Sequence, residues 1–261
     1  MTSGDEILFR KEKAAGIVVF NRPEVHNSVN QAIIEGVERV LDTVEKDAEI
    51  RGLILTGAGE KAFISGSDIR ELSTRTPLTG IENSRNRQRV LKRIEDLPVP
   101  SIAAINGFAF GIGCEIALAC TFRIASERAR LGQLETNLGI IPGAGGTQRL
   151  TRLIGKSRAA ELILKGEIIG AEEAYRIGLV NRVVPVSDLM DECLRWIEIF
   201  REKSPIAVKY ALTAINQGIG VDLDTGLRIE SLCLGACFAS EDSKEGLAAF
   251  LEKRKPNYKG R

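Results

Sequence analysis

The alternation of apolar and polar positions predicts strands in the first part of the chain, separated by helices. Residues 30–47 place apolar side chains at the spacing of one helix face, and residues 80–97 form a more polar helix that ends before Pro98. Residues 57–68 read as a loop. Strands that alternate with helices predict repeated β-β-α or β-α units. The short apolar runs typical of strands are Ile7–Phe9, Gly16–Phe20, Gly52–Thr56 and Ser101–Ile105.

The pattern changes after Pro185, where strand candidates end. Apolar positions then recur at helical spacing in four successive segments, which start near Leu189, Ser204, Leu223 and Ser243. We therefore expect an α/β core over residues 1–187, followed by a helical region over residues 188–261.

One stretch, from Ser101 to Thr121, is long and apolar enough to be weighed as a membrane span. It carries one charge, Glu115, but also Asn106 and several glycines, and no second such segment exists. A strand, a turn and a helix of a soluble protein are therefore favoured.

Composition narrows the classes of function. The chain has 261 residues, 36 Lys+Arg against 35 Asp+Glu, and one His, for a net charge of +1. This balance gives no reason to expect a nucleic acid or membrane partner, and one His argues against a Ser-His-Asp triad or a His-rich metal site. The five cysteines form no CxxC pair, which is typical of reduced thiols in the cytoplasm. The polar opening Met1–Glu6 indicates no signal or transit peptide.

Two carboxylates are the strongest candidates for chemistry. Glu115 lies in an apolar segment that predicts burial, and a buried carboxylate is retained for an ion pair or for function. Arg123 or Arg130 could supply that ion pair. Glu135, taken alone, is more typical of a helix start or a loop. Together the two glutamates flank a glycine-rich turn and could form an acid/base pair.

Glycine-rich turns are the third feature. Asn106–Gly113 follows a strand and leads into a helix, where free N–H groups can bind a phosphate or a developing oxyanion. Ile116 stands where a dinucleotide fingerprint needs a small residue, and Gly143–Thr147 lacks the Lys of a P-loop. Turns that serve packing alone remain the alternative for both.

A locally basic segment and the one histidine complete the candidates. His26 lies in a turn-like segment, where an exposed histidine is expected. The basic segment is diluted by acidic neighbours and reads as a solvated helix face. Its members are Arg85, Arg87, Arg89, Lys92 and Arg93.

Several motifs, weak one by one, become specific through their order and spacing. Over essentially the whole chain they resemble the enoyl-CoA hydratase (crotonase) family. The resemblance implies an α/β fold, a crotonase-like spiral of repeated β-β-α units followed by a C-terminal helical region. The motifs are Asn21–Pro23, Ala62–Asp68, Ala103–Gly107, Gly111–Glu115, Ile141–Arg149, Glu245–Gly246 and Phe250–Lys255.

The resemblance also implies an activity, the reversible hydration of trans-2-enoyl-CoA thioesters to 3-hydroxyacyl-CoA. In that family two backbone N–H groups stabilise a thioester enolate, and their motif positions here are Ser65 and Ile112. Two glutamates hold the reacting water. Glu115 would act as the base toward water adding at C3, and Glu135 would deliver a proton to C2. No metal or redox cofactor is implied, because CoA is part of the substrate.

For CoA and assembly, the resemblance implies loop contacts and a C-terminal patch that reaches the CoA of a neighbouring subunit. It also implies a cytoplasmic homo-oligomer, a trimer or hexamer, whose helical region serves oligomerisation and covers the active site. The substrate-binding positions are Glu24, Val25, His26, Ser65, Gly66, Ser67, Asp68, Gly143, Phe250 and Lys253.

Alternatives on the same fold stay open. One group changes the reaction to double-bond isomerisation, thioester hydrolysis or dienoyl-CoA hydration. Another, of a different class, is an RNA-binding homologue that uses the segment from Arg85 to Arg93.

Overall fold

The computed structural model describes residues 6–261, in which ten strands form two sheets. The segment Met1–Glu6, on which the expectation of no leader peptide rests, lies outside the described residues except for Glu6. The strands are β1 (Ile7–Glu12), β2 (Ala15–Phe20), β3 (Gly52–Gly57), β4 (Ala62–Ile64), β5 (Ser101–Ile105), β6 (Phe108–Phe110), β7 (Phe122–Ser126), β8 (Arg130–Gly132), β9 (Ile169–Gly170) and β10 (Arg182–Val184).

The two sheets confirm the predicted β-β-α units. The larger sheet has the order β1-β2-β3-β5-β7-β10, and the smaller has the order β4-β6-β8-β9. Successive strand pairs divide between them, because β3, β5 and β7 run parallel in the larger sheet while β4, β6 and β8 run parallel in the smaller. The pairs β3–β4, β5–β6 and β7–β8 therefore each add one strand to each sheet, whereas β1 and β2 both belong to the larger sheet.

Helices follow these strand pairs and then make up the C-terminal region. The first helix shows how the sequence sets their limits: the Asn30 side chain accepts a hydrogen bond from the N–H of Ile33 at 2.9 Å, which caps its start. The helices are α1 (Gln31–Lys46), α2 (Ile69–Ser73), α3 (Pro77–Glu95), α4 (Ile112–Ala119), α5 (Gly146–Ile154), α6 (Lys156–Lys165), α7 (Ala171–Arg176), α8 (Leu189–Arg201), α9 (Pro205–Gly218), α10 (Leu223–Phe238) and α11 (Glu241–Leu251).

Residues 57–68 are not the loop that the sequence predicted, because they contain β4. This strand has three residues, all buried, and it pairs with β6, which is distant in sequence. Three residues are too few to show a period of two, so the strand is invisible in the local pattern. The helix predicted from Gly80 begins earlier, at Pro77, because Thr76 and Thr79 form a capping box.

The stretch from Ser101 to Thr121, weighed above as a membrane span, folds as β5, β6 and α4. Among residues 6–261, no helix is long and apolar enough to cross a membrane.

The C-terminal region begins with a helix that belongs to the main core. Leu189, Cys193 and Ile197 of α8 pack in one cluster with Ile54 and Ile102, which come from neighbouring strands of the larger sheet. The boundary that the sequence predicted between residues 187 and 188 therefore assigns α8 to a different region from the sheet against which it packs. Beyond it, α9 and α10 pack closely against each other.

Candidate active site

A cavity of about 910 Å³ lies between the edge of the smaller sheet, the start of α4 and the α2–α3 segment. Its size is that of pockets that bind small molecules or cofactors. Ile69, Leu72, Leu138 and Ile141 supply apolar wall. Most of the residues predicted from the sequence line this single cavity: Val25, Ser65, Gly66, Ser67, Ile112, Glu115, Glu135 and Gly143.

Glu115 is held by backbone N–H groups rather than by an ion pair. Its side chain is 2% exposed, and Oε1 accepts hydrogen bonds from the N–H groups of Ala144 and Gly146, both at 2.7 Å. The other oxygen, Oε2, has no hydrogen-bond partner among residues 6–261. The carboxylate is therefore fixed through one oxygen and open to the cavity through the other.

The prediction that Glu115 forms an ion pair with Arg123 or Arg130 is wrong. The Arg123 guanidinium donates to the backbone carbonyl groups of Leu179 and Cys120, at 2.8 Å each. Arg130 donates to neighbouring carbonyl groups of its own strand region. Burial raises the pKa of Glu115, and the two backbone N–H groups oppose that rise without cancelling it.

Glu135 begins a 3-10 turn, Glu135–Leu138, on the other side of the glycine-rich turn. Its carboxylate lies so close to Gly111 that a Cβ there would be 2.9 Å from Oε1. Burial, followed by the negative charge of Glu115, raises the pKa of Glu135 to about 7. The buried Gln133, with its amide nitrogen turned toward this carboxylate, donates to Oε2 at 3.1 Å.

Ile112 is one of the two residues predicted to supply a backbone N–H to the site. Ile112 is the first residue of α4 and follows Gly111, whose φ of 52° turns the chain into the helix. The Ile112 N–H has no acceptor within the described part of the chain, as expected at a helix start. It lies on the cavity wall close to Glu115.

The second predicted donor, the Ser65 N–H, is wrong because it already donates to the carbonyl of His26 at 3.1 Å. Ser67, on the cavity wall, has a backbone N–H in a different condition. Val29 pairs with Ser67 as in a parallel sheet, through bonds made by Gly66 and Asp68, so the Ser67 N–H points to the opposite side, toward the cavity. It has no acceptor among residues 6–261. Ser67 lies two residues beyond the predicted position.

Comparison with known proteins decides the family. Residues 10–261 match the family model described as enoyl-CoA hydratase/isomerase. The chain belongs to this family.

Named relatives and solved structures agree with that assignment. The chain is 45% identical to a short-chain-enoyl-CoA hydratase of Clostridium acetobutylicum, over 96% of each chain. It is 41% identical to a crotonyl-CoA hydratase of Syntrophomonas wolfei, over 97% of this chain and 98% of that protein. An enoyl-CoA hydratase from Bacillus anthracis superposes with a TM-score of 0.94 at 44% identity, covering 98% of this chain and all of that one. Its fold confirms the crotonase-like architecture.

Three residues expected near the substrate in this family member lie off the cavity wall. Glu24 and His26 are exposed. Asp68 caps α2 through the N–H of Arg70 and forms an ion pair with Arg22 at 3.2 Å. Asp68 therefore shapes the loop that carries Ser67 rather than lining the cavity.

The C-terminal positions are also separate from the cavity of the single chain. Phe250 is 82% exposed near the end of α11, and Lys253 follows in a left-handed conformation with φ of 55°. No lining residue of the cavity comes from residues 188–261. Within one chain, the helical region does not cover this site.

The basic segment divides into exposed ion pairs and one buried residue. Arg89 pairs with Glu38, and Arg93 pairs with Asp42 at 2.7 Å, so acidic side chains of α1 neutralise this face. Arg87 departs from the predicted solvated face, since it is 5% exposed and lines the cavity. Helical spacing from the buried Val90, Leu91 and Ile94 was the signal for this placement.

Proposed function

We propose that this protein hydrates trans-2-enoyl-CoA thioesters reversibly to 3-hydroxyacyl-CoA. The observation that carries the proposal is the meeting of two carboxylates, the buried Glu115 and the half-buried Glu135, in one cavity with two backbone N–H groups that have no acceptor among residues 6–261. The names of the Clostridium and Syntrophomonas relatives support the same reaction.

In this proposal the N–H groups of Ser67 and Ile112 bind the thioester oxygen. Adding water at C3 moves electrons toward that oxygen, so donors already aimed at it stabilise the enolate as it forms. Losing one such donor typically costs about 2.7–4 kcal/mol in the transition state. Both donors belong to the backbone, so the side chains of these residues can vary.

Glu115 serves as the base in this proposal. The N–H groups of Ala144 and Gly146 fix Oε1, which leaves Oε2 to hold the attacking water and take its proton. Glu135 serves as the acid toward C2, because a carboxyl group with a pKa of about 7 keeps its proton in part at neutral pH. The roles exchange in the reverse reaction.

The proposal includes no metal ion and no redox cofactor. Water addition transfers no electrons to an outside acceptor, and CoA enters as part of the substrate. Preincubation with a strong chelator should therefore leave the hydration rate unchanged.

We further propose a homo-oligomer, a trimer or hexamer, in the cytoplasm. Large apolar side chains stand exposed along α10 and α11, which favours a protein interface. Phe250 and Lys253 would then reach the CoA of a neighbouring subunit. The free thiols of all five cysteines favour a reducing compartment. The exposed side chains are Leu223, Leu227, Leu232, Leu234, Phe238, Leu247, Phe250 and Leu251.

Product analysis separates hydration from the alternatives on this fold. The purified protein should convert crotonyl-CoA to 3-hydroxybutyryl-CoA faster than it isomerises a 3-enoyl-CoA, hydrates a dienoyl-CoA or hydrolyses a saturated acyl-CoA. A dominant product of any other class would overturn the proposal. The ion pairs of Arg89 and Arg93 give no support to RNA binding.

A further inference from the structure

The cavity contains a buried cation whose hydrogen-bonding capacity the fold leaves largely unused. Arg87 is 5% exposed in the middle of α3, and its Nη1 donates to Oγ of Ser67 at 2.8 Å. Its Nε and Nη2 are buried without an acceptor in the described part of the chain. A buried charged group without partners costs free energy, so a guanidinium kept in this state indicates an absent ligand.

Two other residues on the same wall also have buried polar atoms without a hydrogen-bond partner in the described part of the chain. Nη2 of Arg75 and Oδ1 of Asn83 are buried and have no hydrogen-bond partner among residues 6–261. Both residues line the cavity with Arg87, at the end formed by α3 and the segment before it. The charge of Arg75 adds to burial in lowering the pKa of Arg87 to about 10.

The acidic groups nearby do not neutralise this pair of arginines. Glu71 influences both arginines through space, but it forms no ion pair with either and instead accepts the N–H of Gln31 at 3.2 Å. Glu115 attracts Arg87 from a distance longer than an ion pair, and its Oε1 is taken by backbone N–H groups. The cavity wall formed by α3 and the segment before it is therefore positive.

We propose that this wall binds a carboxylate at the far end of the acyl chain, so that the preferred substrates are enoyl-CoA thioesters of dicarboxylic acids. The inference rests on the proposed hydration. A guanidinium with free donors on a rigid plane matches the two oxygens of a carboxylate, and Arg75 would add a second charge. An aliphatic chain alone would leave these donors unsatisfied.

The position of Arg87 favours binding of an acyl-chain carboxylate over binding of the CoA phosphates. Arg87 contacts the side chain of Ser67, whose N–H binds the thioester oxygen in the proposed mechanism. The phosphates of CoA are separated from the thioester by the whole pantetheine arm, whereas the acyl chain begins at the thioester carbon. The anion that reaches Arg87 therefore belongs to the acyl group.

The test compares two substrates with the same carbon chain, 4-carboxybut-2-enoyl-CoA and pent-2-enoyl-CoA. The wild type should show a kcat/KM at least about tenfold higher for the carboxylated substrate, and Arg87→Met should lower this ratio by about 100-fold. Arg87→Lys should restore part of the ratio. Arg89→Met is the matched control, since Arg89 is on the same helix but is exposed and paired with Glu38.

The outcomes distinguish this inference from the proposed function. Hydration of neither substrate contradicts the proposed function. Hydration of both with a preference for pent-2-enoyl-CoA overturns only the carboxylate site, as does an Arg87→Met variant that loses both activities equally. The latter result would assign Arg87 to positioning Ser67 or Glu115.

A binding measurement keeps the inference testable if the Arg87 variants do not fold. Calorimetry on the wild type would compare glutaryl-CoA with pentanoyl-CoA, saturated thioesters that cannot be hydrated. Tighter binding of glutaryl-CoA by about tenfold or more is expected. Equal binding, or tighter binding of pentanoyl-CoA, would overturn the carboxylate site.

Discussion

Glu115 and Glu135 face one cavity, and the charge of Glu115 acts on Glu135. Burial opposes ionisation of both, and the charge of Glu115 makes ionisation of Glu135 harder still. Two carboxyl groups coupled in this way titrate as a pair and share one proton over a range of pH. The singly protonated pair is the form that the proposed reaction needs in either direction.

This coupling predicts the pH dependence of the reaction. Because Glu135 has a pKa of about 7, the shared proton is lost as pH rises through that value, and kcat/KM for hydration should then fall about tenfold per pH unit. Hydration and dehydration both need the pair with one bound proton. The fall in kcat/KM at high pH should therefore occur at the same pH in both directions. A kcat/KM that stays flat between about pH 6 and 9 would contradict the assigned roles.

The same raised pKa predicts a stability effect. A carboxyl group that ionises less readily in the folded state destabilises it as pH rises from the ordinary value of 4.5 toward about 7. Glu135→Gln should therefore raise the free energy of unfolding by about 1–2 kcal/mol near pH 8, allowing for solvent screening, and by nothing below about pH 4. Urea unfolding at both pH values checks this.

Glu161→Gln is the control for that measurement, because Glu161 is exposed and pairs with Lys165 on the surface. It should show no comparable gain near either pH. A Glu135→Gln variant no more stable than the wild type at the higher pH would show that the carboxylate is not strained by burial.

For single residues, the sequence predicted which residues belong to the site better than it predicted where their N–H groups and side chains point. Glu115 could be found because a lone charge in an apolar run must be buried. The Ser65 assignment failed because the Ser65 N–H is taken by the carbonyl of His26, a residue distant in the chain, and a local pattern does not contain that contact. Arg87 was misplaced because its basic neighbours concealed the helical spacing that buries it.

At the scale of elements, the site depends on how closely α4 approaches β4. A Cβ on Gly113 would lie 2.3 Å from the carbonyl oxygen of Ile64 and 2.8 Å from its Cβ, so neither backbone could stay in place. β4 leads into the segment that carries Ser67, and α4 begins with Ile112. The spacing of the two proposed oxyanion donors therefore depends on a glycine at position 113.

Gly113→Ala should separate these elements. We expect a loss of about 1–3 kcal/mol in the free energy of unfolding and a fall in kcat of more than about tenfold. Gly220→Ala is the control, because a Cβ there meets nothing within 4 Å and the residue lies in the turn between α9 and α10. It should be neutral or stabilising by up to about 1 kcal/mol. Wild-type stability and kcat in Gly113→Ala would contradict the close-approach argument.

The sequence predicted long elements but not the strands of the smaller sheet. The apolar stripe of α1 and the buried runs of β2, β3 and β5 extend over enough residues to show their period. β4 and β8 have three residues each, and their pairing partner β6 is far away in the chain. Their existence depends on non-local pairing, which a local pattern cannot contain.

At the scale of the whole molecule, the exposed apolar side chains of the last helices predict assembly. Sedimentation of the wild type should give the mass of three or six chains. Phe250→Asp places a charge at a position that is 82% exposed in the single chain, and it should shift the protein to smaller species and raise KM for the CoA ester. Lys244→Asp, on another part of α11, tests whether any charge change on this helix has the same effect.

A wild type that sediments as one chain at micromolar concentration would contradict the proposed oligomer. A Phe250→Asp variant that assembles and binds substrate normally would instead remove Phe250 from the interface. The repeated β-β-α units and the helical end could be anticipated through the family resemblance. Contacts between residues of different subunits could not be predicted, because a single chain shows only the exposed surface and not the residues that would cover it.

Steady-state hydration of crotonyl-CoA by Glu115→Gln and Glu135→Gln, beside the exposed control Glu127→Gln, shows whether the two glutamates perform the reaction. Each site variant should lose at least about 100-fold in kcat while still binding butyryl-CoA, and the control should keep the wild-type rate. Near wild-type hydration by both site variants would contradict the account.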